Sequence, residues 1–302
     1  MTRSTRRLAA TLVIPAYNEE ATIGICLDHA LAQTRPFERI IVVDNSSTDR
    51  TADIVRDYRA RSPRIELMTE SRRGVLHART TGFDAVDTDV IARIDADTRL
   101  RPEWCAAGLD LLESDVDEKM GSVTGPAVFY DAPLQRRAER KIFEKYRIPV
   151  SSTIISGNNT MIRRVAWEAA RGSLSGRTDI HEDGELGVWI RKNGYQLILA
   201  SSMMTDISPR RIGSPPWQSM KYYWANVRTH EVAGDPEQAR RLRRIMPLVA
   251  VWSVLLWFVY GAWDPTAKRW TLHRLLVSGD RVSPLQSDRS GRALPNGSAA
   301  TS

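Results

Sequence analysis

The chain has 302 residues, of which 42% are hydrophobic and 26% charged, the balance of a globular protein with a real core. That composition excludes a chain dominated by disorder, and the length suits one large domain or a domain with an appendage. A formal net charge of +7 admits nucleic acid, anionic lipid or phosphorylated substrates as partners and selects none of them.

Arg3 to Arg7 followed by Leu8 to Ala16 imitates a short signal peptide, but the run flows into Asn18-Glu19-Glu20, a poor cleavage region. Thr11-Leu12-Val13-Ile14 therefore reads as a buried first strand. Glu20 to Ala32 has helical spacing, with Ile23, Leu27 and Leu31 on one face. Ile40-Ile41-Val42-Val43 is a second strand ending in Asp44, and Ser47-Thr48-Asp49 caps a helix running to about Arg61. Ile65 to Met68 is a third strand, Gly74 to Ala85 a third helix, and Val90 to Ile94 a fourth strand ending at Asp95. Repeated strand–helix units predict an α/β fold: a mostly parallel central sheet with helices on both faces. Such sheets bind ligands beyond the carboxyl ends of their strands. Cys26 and Cys105 show neither metal-ligand spacing nor a disulfide framework; they read as core residues in a reducing, cytosolic compartment.

The chain is less regular from about Gly121. Ser122 to Gly125 reads as a strand, Gln135 to Tyr146 as a basic helix, and Ser156-Gly157-Asn158-Asn159 as a turn before a short strand. Ile180 to Asn193 contains a helix stopped by Gly194, and Trp217 to His230 is aromatic, basic and helical. Met246 to Trp263 is eighteen residues without a charge, preceded by Arg240, Arg241, Arg243 and Arg244. As a helix it would measure ~27 Å, just short of a ~30 Å bilayer core. Its arginine flank suits a cytoplasmic membrane face, whereas Lys268 and Arg269 beyond it weigh against a span. A single span, an in-plane helix and a buried contact all remain open at this point. The expected organisation is a catalytic domain over 1–212 (nucleotide-binding half about 9–100, acceptor half about 121–212), a helical segment over 213–283 forming a C-terminal membrane anchor, and a disordered tail over 284–302.

Chemistry concentrates at the predicted strand ends. Asp95-Ala96-Asp97 sets two carboxylates just past a buried strand, where they repel; a hard divalent cation shared with substrate phosphates relieves that repulsion. Asp44 and the loop Pro15-Ala16-Tyr17-Asn18-Glu19 fall on the same sheet edge, placed to flank a base or ribose. Arg72-Arg73-Gly74 opens a helix, and Arg73 and Arg79 suit a pyrophosphate. His181-Glu182-Asp183-Gly184-Glu185 is a second acidic cluster, in which a carboxylate can serve as general base. Arg210 and Arg211 could pair with phosphate. Turn, capping and salt-bridge roles compete for each of these residues. The chain lacks the Walker, dinucleotide-fingerprint, zincin and nucleophile-elbow patterns. No nucleic-acid motif accompanies the basic charge.

The order of these motifs resembles family 2 glycosyltransferases of the GT-A fold. The resemblance is carried by Val13 to Glu20, Val42 to Asp49, Gly74 with Ala78-Arg79, Asp95-Ala96-Asp97, Ser156 to Asn159 and Glu182-Asp183. It implies an inverting transferase that moves a sugar from a nucleotide-diphosphate-sugar to a hydroxyl or phosphate acceptor, lipid-linked or part of the cell-envelope glycan. A UDP-sugar is the favoured donor and a GDP-sugar remains open. Pro15, Ala16, Tyr17, Glu19 and Asp44 would line the nucleoside pocket, with Arg73, Arg79, Ala96, Arg210 and Arg211 also against the donor. Asp97 would bind Mg²⁺ or Mn²⁺, Asp95 ribose or metal, and Asp183 would be the general base beside Glu182. The resemblance departs at two places: Gln218-Ser219-Met220-Lys221-Tyr222 stands where processive relatives carry Q-x-x-R-W, so a single, non-processive transfer is expected, and Ile94 precedes Asp95 in place of a third acid. A nucleotidyltransferase would need a Gly-rich basic loop after the first strand. The other alternative is a non-catalytic, membrane-anchored protein that binds nucleotide-sugars.

Overall fold

In a computed structural model, residues 7–133, 135–209, 216–264 and 267–272 are described. The apolar runs of the first hundred residues become β1 (Ala10–Ala16), β2 (Arg39–Asp44), β3 (Ile65–Thr69) and β4 (Val90–Ile94), with α1 (Ile23–Leu31), α2 (Thr51–Arg61) and α3 (Val75–Asp84) between them. Then follow β5 (Arg99–Leu100), α4 (Trp104–Ser114), β6 (Met120–Thr124), β7 (Ala127–Phe129), α5 (Gln135–Lys145), β8 (Val150–Ser152), β9 (Asn159–Arg163), α6 (Arg164–Arg171), α7 (Glu182–Lys192), β10 (Gln196–Leu199) and β11 (Thr205–Ile207). The chain continues through α8 (Pro216–Val232) and α9 (Pro236–Leu256), a turn of π-helix over Trp257–Gly261, and the short pair β12 (Trp263–Asp264) and β13 (Arg269–Trp270).

An eight-stranded sheet runs in the order β3-β2-β1-β4-β9-β6-β10-β8. Its first four strands are parallel, so their carboxyl ends share one edge; Ala16 pairs in register with Asp44, and Val13 with Arg93. β9 enters antiparallel between β4 and β6, pairing Ile94 with Asn159. That reversal brings the start of β9 to the edge where β4 ends. A smaller sheet, β5-β11-β7, stands beside it.

The period-2 alternation of strand side chains explains the two cores. Leu12, Ile14, Ile40 and Val42 face α1, α2 and α4, whereas Val13, Ile41 and Val43 face α3, α6 and α7. Helix α1 buries Ile23, Cys26, Leu27 and Ala30, the spacing of a single helical stripe. Cys26 and Cys105 are both buried and unpaired, as expected of core thiols. Of the predicted cap Ser47-Thr48-Asp49, only Asp49 reaches the helix, accepting from the Thr51 amide at 2.9 Å. Ser47 and Thr48 instead knit to Asn18, the Asn18 amide donating to Ser47 Oγ at 3.0 Å and the Thr48 amide to Asn18 Oδ1 at 2.8 Å. The loops after β1 and β2 are thereby fixed to one another.

Helices α8 and α9 form a hairpin with its own small core of Val227, Ala239 and Met246. It is moored to α7 by Arg191 with Asp235 (3.0 Å) and by Lys192 Nζ donating to the Ala233 carbonyl (2.6 Å). Arg210, Arg211 and the tail expected over 284–302 lie outside the described residues.

Candidate active site

Two carboxylates, Asp95 and Asp97, emerge directly after β4 and are both partly exposed. Ala96 between them is 3% exposed and packs its methyl group into the core, which holds the two acids on the solvent side of the turn. The negative field they create is visible at Cys26: burial first, then Asp97, Asp95 and Glu19, push its thiol far above the ordinary range. Three carboxylates thus bear on one spot at the ends of β1 and β4. Among the described residues no group of three or more His, Cys, Asp or Glu side chains has metal-holding geometry. The donor set still suits a hard divalent cation bound by one or two carboxylates, with phosphate oxygens and water filling the remaining positions.

The part of this edge expected to face a nucleoside is built from the first two loops. Asp44 is 6% exposed, and the Ser47 amide lies 3.4 Å from each of its carboxylate oxygens. Glu19 is held by its amide, which donates to Thr51 Oγ1 at 2.8 Å, and by Thr22 Oγ1, which donates to Glu19 Oε2 at 2.7 Å. Pro15 is partly exposed, whereas the Ala16 side chain belongs to the core. Tyr17 is partly exposed, with the Arg73 guanidinium 5.6 Å from its ring centroid. Both Arg72 and Arg73 are exposed, but Arg72 pairs with Glu70 at 2.9 Å, and Arg73 is the one that faces Tyr17. The start of α3 does not behave as a simple phosphate cradle: the Gly74 amide donates to Asn45 Oδ1 at 2.7 Å.

Arg79 departs from its expected place against the donor. It is 1% exposed, its guanidinium lies 5.8 Å from the Phe83 ring centroid and 5.7 Å from that of Trp167, and Nη1 donates to the Glu182 carbonyl at 2.7 Å. Burial, only partly opposed by Glu182, pushes its pKa down to about 10. Three residues after Leu76 and four before Phe83, this position falls on the buried stripe of α3, where it braces the start of α7.

The second acidic cluster divides its labour. Asp183, on the first turn of α7, is partly exposed; Oδ2 accepts from the Gly157 amide at 2.8 Å and Oδ1 from the Gly184 amide at 2.8 Å. Burial opposes its charge, but His181, Arg93 and these two amides outweigh it and hold the carboxyl below the usual aspartate range. Asp183 is therefore a carboxylate at neutral pH, the form a general base requires. Glu182 is no second base: its Oε1 lies 2.9 Å from Arg93 Nη1, and the two side chains are 9% and 5% exposed. Arg93 Nη2 also lies 3.6 Å from Asp95 Oδ1. Burial opposes the Arg93 charge, but Glu182, Asp95 and Asp183 together hold its pKa above the ordinary value. One buried guanidinium thus links the acids after β4 to the acids at the start of α7.

Sequence reasoning missed Arg93, though a charge inside Val90-Ile91-Ala92-Arg93-Ile94 was a signal, because a buried arginine in a sheet demands a partner. It also missed the reason for Gly157. A Cβ there would stand 2.6 Å from Arg93 Nη1 and 2.9 Å from Asp183 Oδ2, so only glycine lets the turn pass. The packing of His181 against α8 was likewise unforeseen. The His181 amide donates to Thr229 Oγ1 at 2.8 Å, its Nε2 lies 2.8 Å from the Tyr222 carbonyl, and its ring meets that of Tyr222 edge-on at 4.1 Å.

The sequence profile of glycosyl transferase family 2 matches residues 11–169. Glycosyltransferase AglE of Haloferax volcanii is 31% identical over 117 residues, covering 37% of this chain and 38% of that protein. The probable glycosyltransferase YdaM of Bacillus subtilis is 30% identical over 209 residues, covering 62% of this chain and 47% of its own. The chain thus spans less than half the length of these curated relatives. Among solved structures, mannosyltransferase PcManGT of Pyrobaculum calidifontis, in complex with GDP-Man and Mn²⁺, superposes with a TM-score of 0.61 at 20% identity, over 83% of this chain and 73% of that one. At that identity the likeness shows the fold: a GT-A-like α/β architecture.

Proposed function

Because the chain belongs to glycosyl transferase family 2, we propose that it transfers a sugar from a nucleotide-diphosphate-sugar to an acceptor oxygen with inversion at the anomeric carbon. The observation that carries this reading is one junction: Asp95, with Asp97 beside it after β4, and Glu182 at the start of α7 both pair with Arg93, and the Gly157 amide against that guanidinium holds Asp183. Asp44, Glu19 and Tyr17 hold the nucleoside, with Arg73 beside the diphosphate. Asp97, with Asp95, holds Mg²⁺ or Mn²⁺; the metal-bound state of PcManGT supports that choice. The ion, when bound, supplies positive charge against the departing diphosphate.

The remaining steps belong to the chain's own side chains. The acceptor oxygen attacks the anomeric carbon from the face opposite the diphosphate; the new C–O bond forms as the bond to the diphosphate oxygen breaks. Asp183 takes the proton of an acceptor hydroxyl, and the electron pair of the broken bond leaves on the nucleoside diphosphate. Gly157 and Gly184 aim the base through their amides, and Arg93, neutralised by Glu182, fixes the turn that carries it. A UDP-sugar is the favoured donor and a GDP-sugar the second. The acceptor is lipid-linked or part of the cell-envelope glycan, each encounter makes one transfer, and the protein works at the cytoplasmic face of the cell membrane.

The test is donor turnover with Mg²⁺ or Mn²⁺, comparing wild type with Asp97→Ala and Asp183→Asn. Loss in both variants is expected. Unchanged turnover in both would overturn the site, and metal-dependent donor binding without turnover in the wild type would favour a non-catalytic binding protein.

A further inference from the structure

Pro236–Gly261 is a continuous helical stretch long and apolar enough, by length and composition, to cross a membrane. Its outer face is bare: Leu248 is 72% exposed, Val251 63%, Trp252 60%, Leu255 51% and Phe258 49%. Leu248, the pair Val251 and Trp252, Leu255 and Phe258 recur at steps of three or four residues and form a single stripe. Burying such side chains stabilises by ~25 cal/mol per Å² of apolar surface removed from water, so the stripe calls for an apolar cover.

Both ends of this helix are fastened to the same catalytic body. At the start, Asp235 pairs with Arg191 of α7 at 3.0 Å. At the far end, Tyr260 meets the Phe129 ring of β7 edge-on, centroids 5.6 Å apart, and Trp263 Nε1 donates to the Asp131 carbonyl at 2.8 Å. A helix that crosses a bilayer delivers its two ends to opposite sides, and a water-soluble domain cannot follow it. The far end also lies close to the site: Arg99, two residues past Asp97, stacks 3.7 Å from the Tyr130 ring centroid and pairs with Asp131 at 3.9 Å. Just beyond Asp131 runs α5, in which no residue is buried and where Arg136, Arg137, Arg140, Lys141 and Lys145 are exposed.

We infer that α9 lies in the plane of a bilayer carrying anionic phospholipid, its Leu248–Phe258 stripe sunk at the headgroup–acyl boundary and the cations of α5 on the headgroups, with the site opening beside the membrane surface. This rests on the membrane placement proposed above and replaces a span with a monotopic attachment. Charge complementarity selects the partner: a basic, aromatic-bearing helix pair meets a negatively charged interface.

The experiment uses the full chain with preformed vesicles of phosphatidylcholine, with or without phosphatidylglycerol. Flotation should show binding stronger by more than about tenfold with the anionic lipid, since each surface cation contributes about 1 kcal/mol there. Leu248→Glu with Trp252→Glu should abolish binding, and Arg136→Glu with Arg140→Glu should abolish the lipid-charge dependence. The native cysteines are buried, so a single Ala267→Cys thiol, just past the helix, reports sidedness. Its reaction with an impermeant thiol reagent added outside is the expected result. Binding with that thiol protected means a span, which overturns the inference and leaves the membrane placement standing. Equal binding to both vesicles overturns the charge component. Absence of binding overturns the membrane placement as well, while metal-dependent donor turnover judges the transfer chemistry separately. A dimer made monomeric by Trp252→Glu would assign the stripe to a second copy and overturn the inference.

Discussion

Replacing Glu182 by Gln keeps the shape of the side chain and removes its charge, leaving Arg93 buried against a neutral amide. The pair is 2.9 Å apart with 5% and 9% of its side chains exposed, so solvent gives little relief. Breaking a buried ion pair by removing one partner costs about 3–5 kcal/mol. Asp95, 3.6 Å from the same guanidinium, retains part of the compensation and sets the expectation at the lower end, about 3 kcal/mol. That is a large share of the 5–15 kcal/mol of a typical domain and corresponds to a fall of roughly 6–12 °C in melting temperature. The decisive comparison is a cycle by urea denaturation over Arg93→Met, Glu182→Leu and the double variant. Apolar replacement of both partners is often neutral, so the double variant should return to within about 1 kcal/mol of the parent. Its turnover should stay low, because the turn that aims Asp183 has lost its anchor. A Glu182→Gln protein within about 0.5 kcal/mol of the parent, or a double variant as active as the parent, would refute the reasoning.

Asp97→Ala removes a partly exposed side chain, so stability should change by less than about 1 kcal/mol while the stabilisation by donor plus Mn²⁺ in a thermal-shift titration disappears. Gly157→Ala forces a methyl group to 2.6 Å from Arg93 Nη1; a loss of about 1–3 kcal/mol in denaturation and a fall in kcat exceeding any change in donor KM are expected. Asp183→Asn should lower kcat by about a hundredfold or more for a hydroxyl acceptor. Asp183 is held below the usual aspartate range, so its contribution to stability is present above the unfolded value of about 3.9 and is lost as pH falls through the lower folded value; the acid limb of kcat should lie below about pH 4, and a limb above about pH 5 contradicts the assignment. His230 lies buried in the α8–α9 hairpin 3.4 Å from Asp235, and burial, outweighing that carboxylate, lowers its pKa. The unfolded chain then binds the proton more readily, so stability is complete above about pH 6.5 and declines as pH drops below it; His230→Gln should flatten that slope in urea titrations from pH 7.5 to 5.5.

The parallel half of the sheet was legible because its strands carry unbroken apolar runs whose carboxyl ends are punctuated by Asp44 and Asp95. Buried strands must be apolar, and the acids that follow them have to fall on one edge. The antiparallel half was harder to read. Asn159–Arg163 is buried throughout yet polar at three of five positions, since Asn159 and Arg163 satisfy backbone groups that no local pattern announces. The Trp104 indole donates to Asn159 Oδ1 at 2.8 Å, and Asn159 Nδ2 donates to the Met203 carbonyl at 2.7 Å, contacts spanning 55 and 44 residues. Within the site, the places of the acids at the strand and helix ends were legible and their partners were not. Glu182 and Asp183 are neighbours in sequence with different surroundings, one paired with buried Arg93 and the other partly exposed and held by the Gly157 amide, and only the packing of α7 over Gly157 decides which is which.

That packing also explains why an apolar core tolerates Arg93. The acids after β4 come from the parallel half of the sheet and Asp183 comes from the helix that covers its antiparallel half, so their juxtaposition depends on how the two halves meet. Apolar side chains would hold the halves together with little preference for their register. A forked guanidinium pairs with both Asp95 and Glu182 only when the two carboxylates arrive at their distances of 3.6 and 2.9 Å. The buried charge should therefore act in registration more than in net stabilisation, and the cycle above tests this by separating stability, recoverable by two apolar residues, from activity, which should not recover.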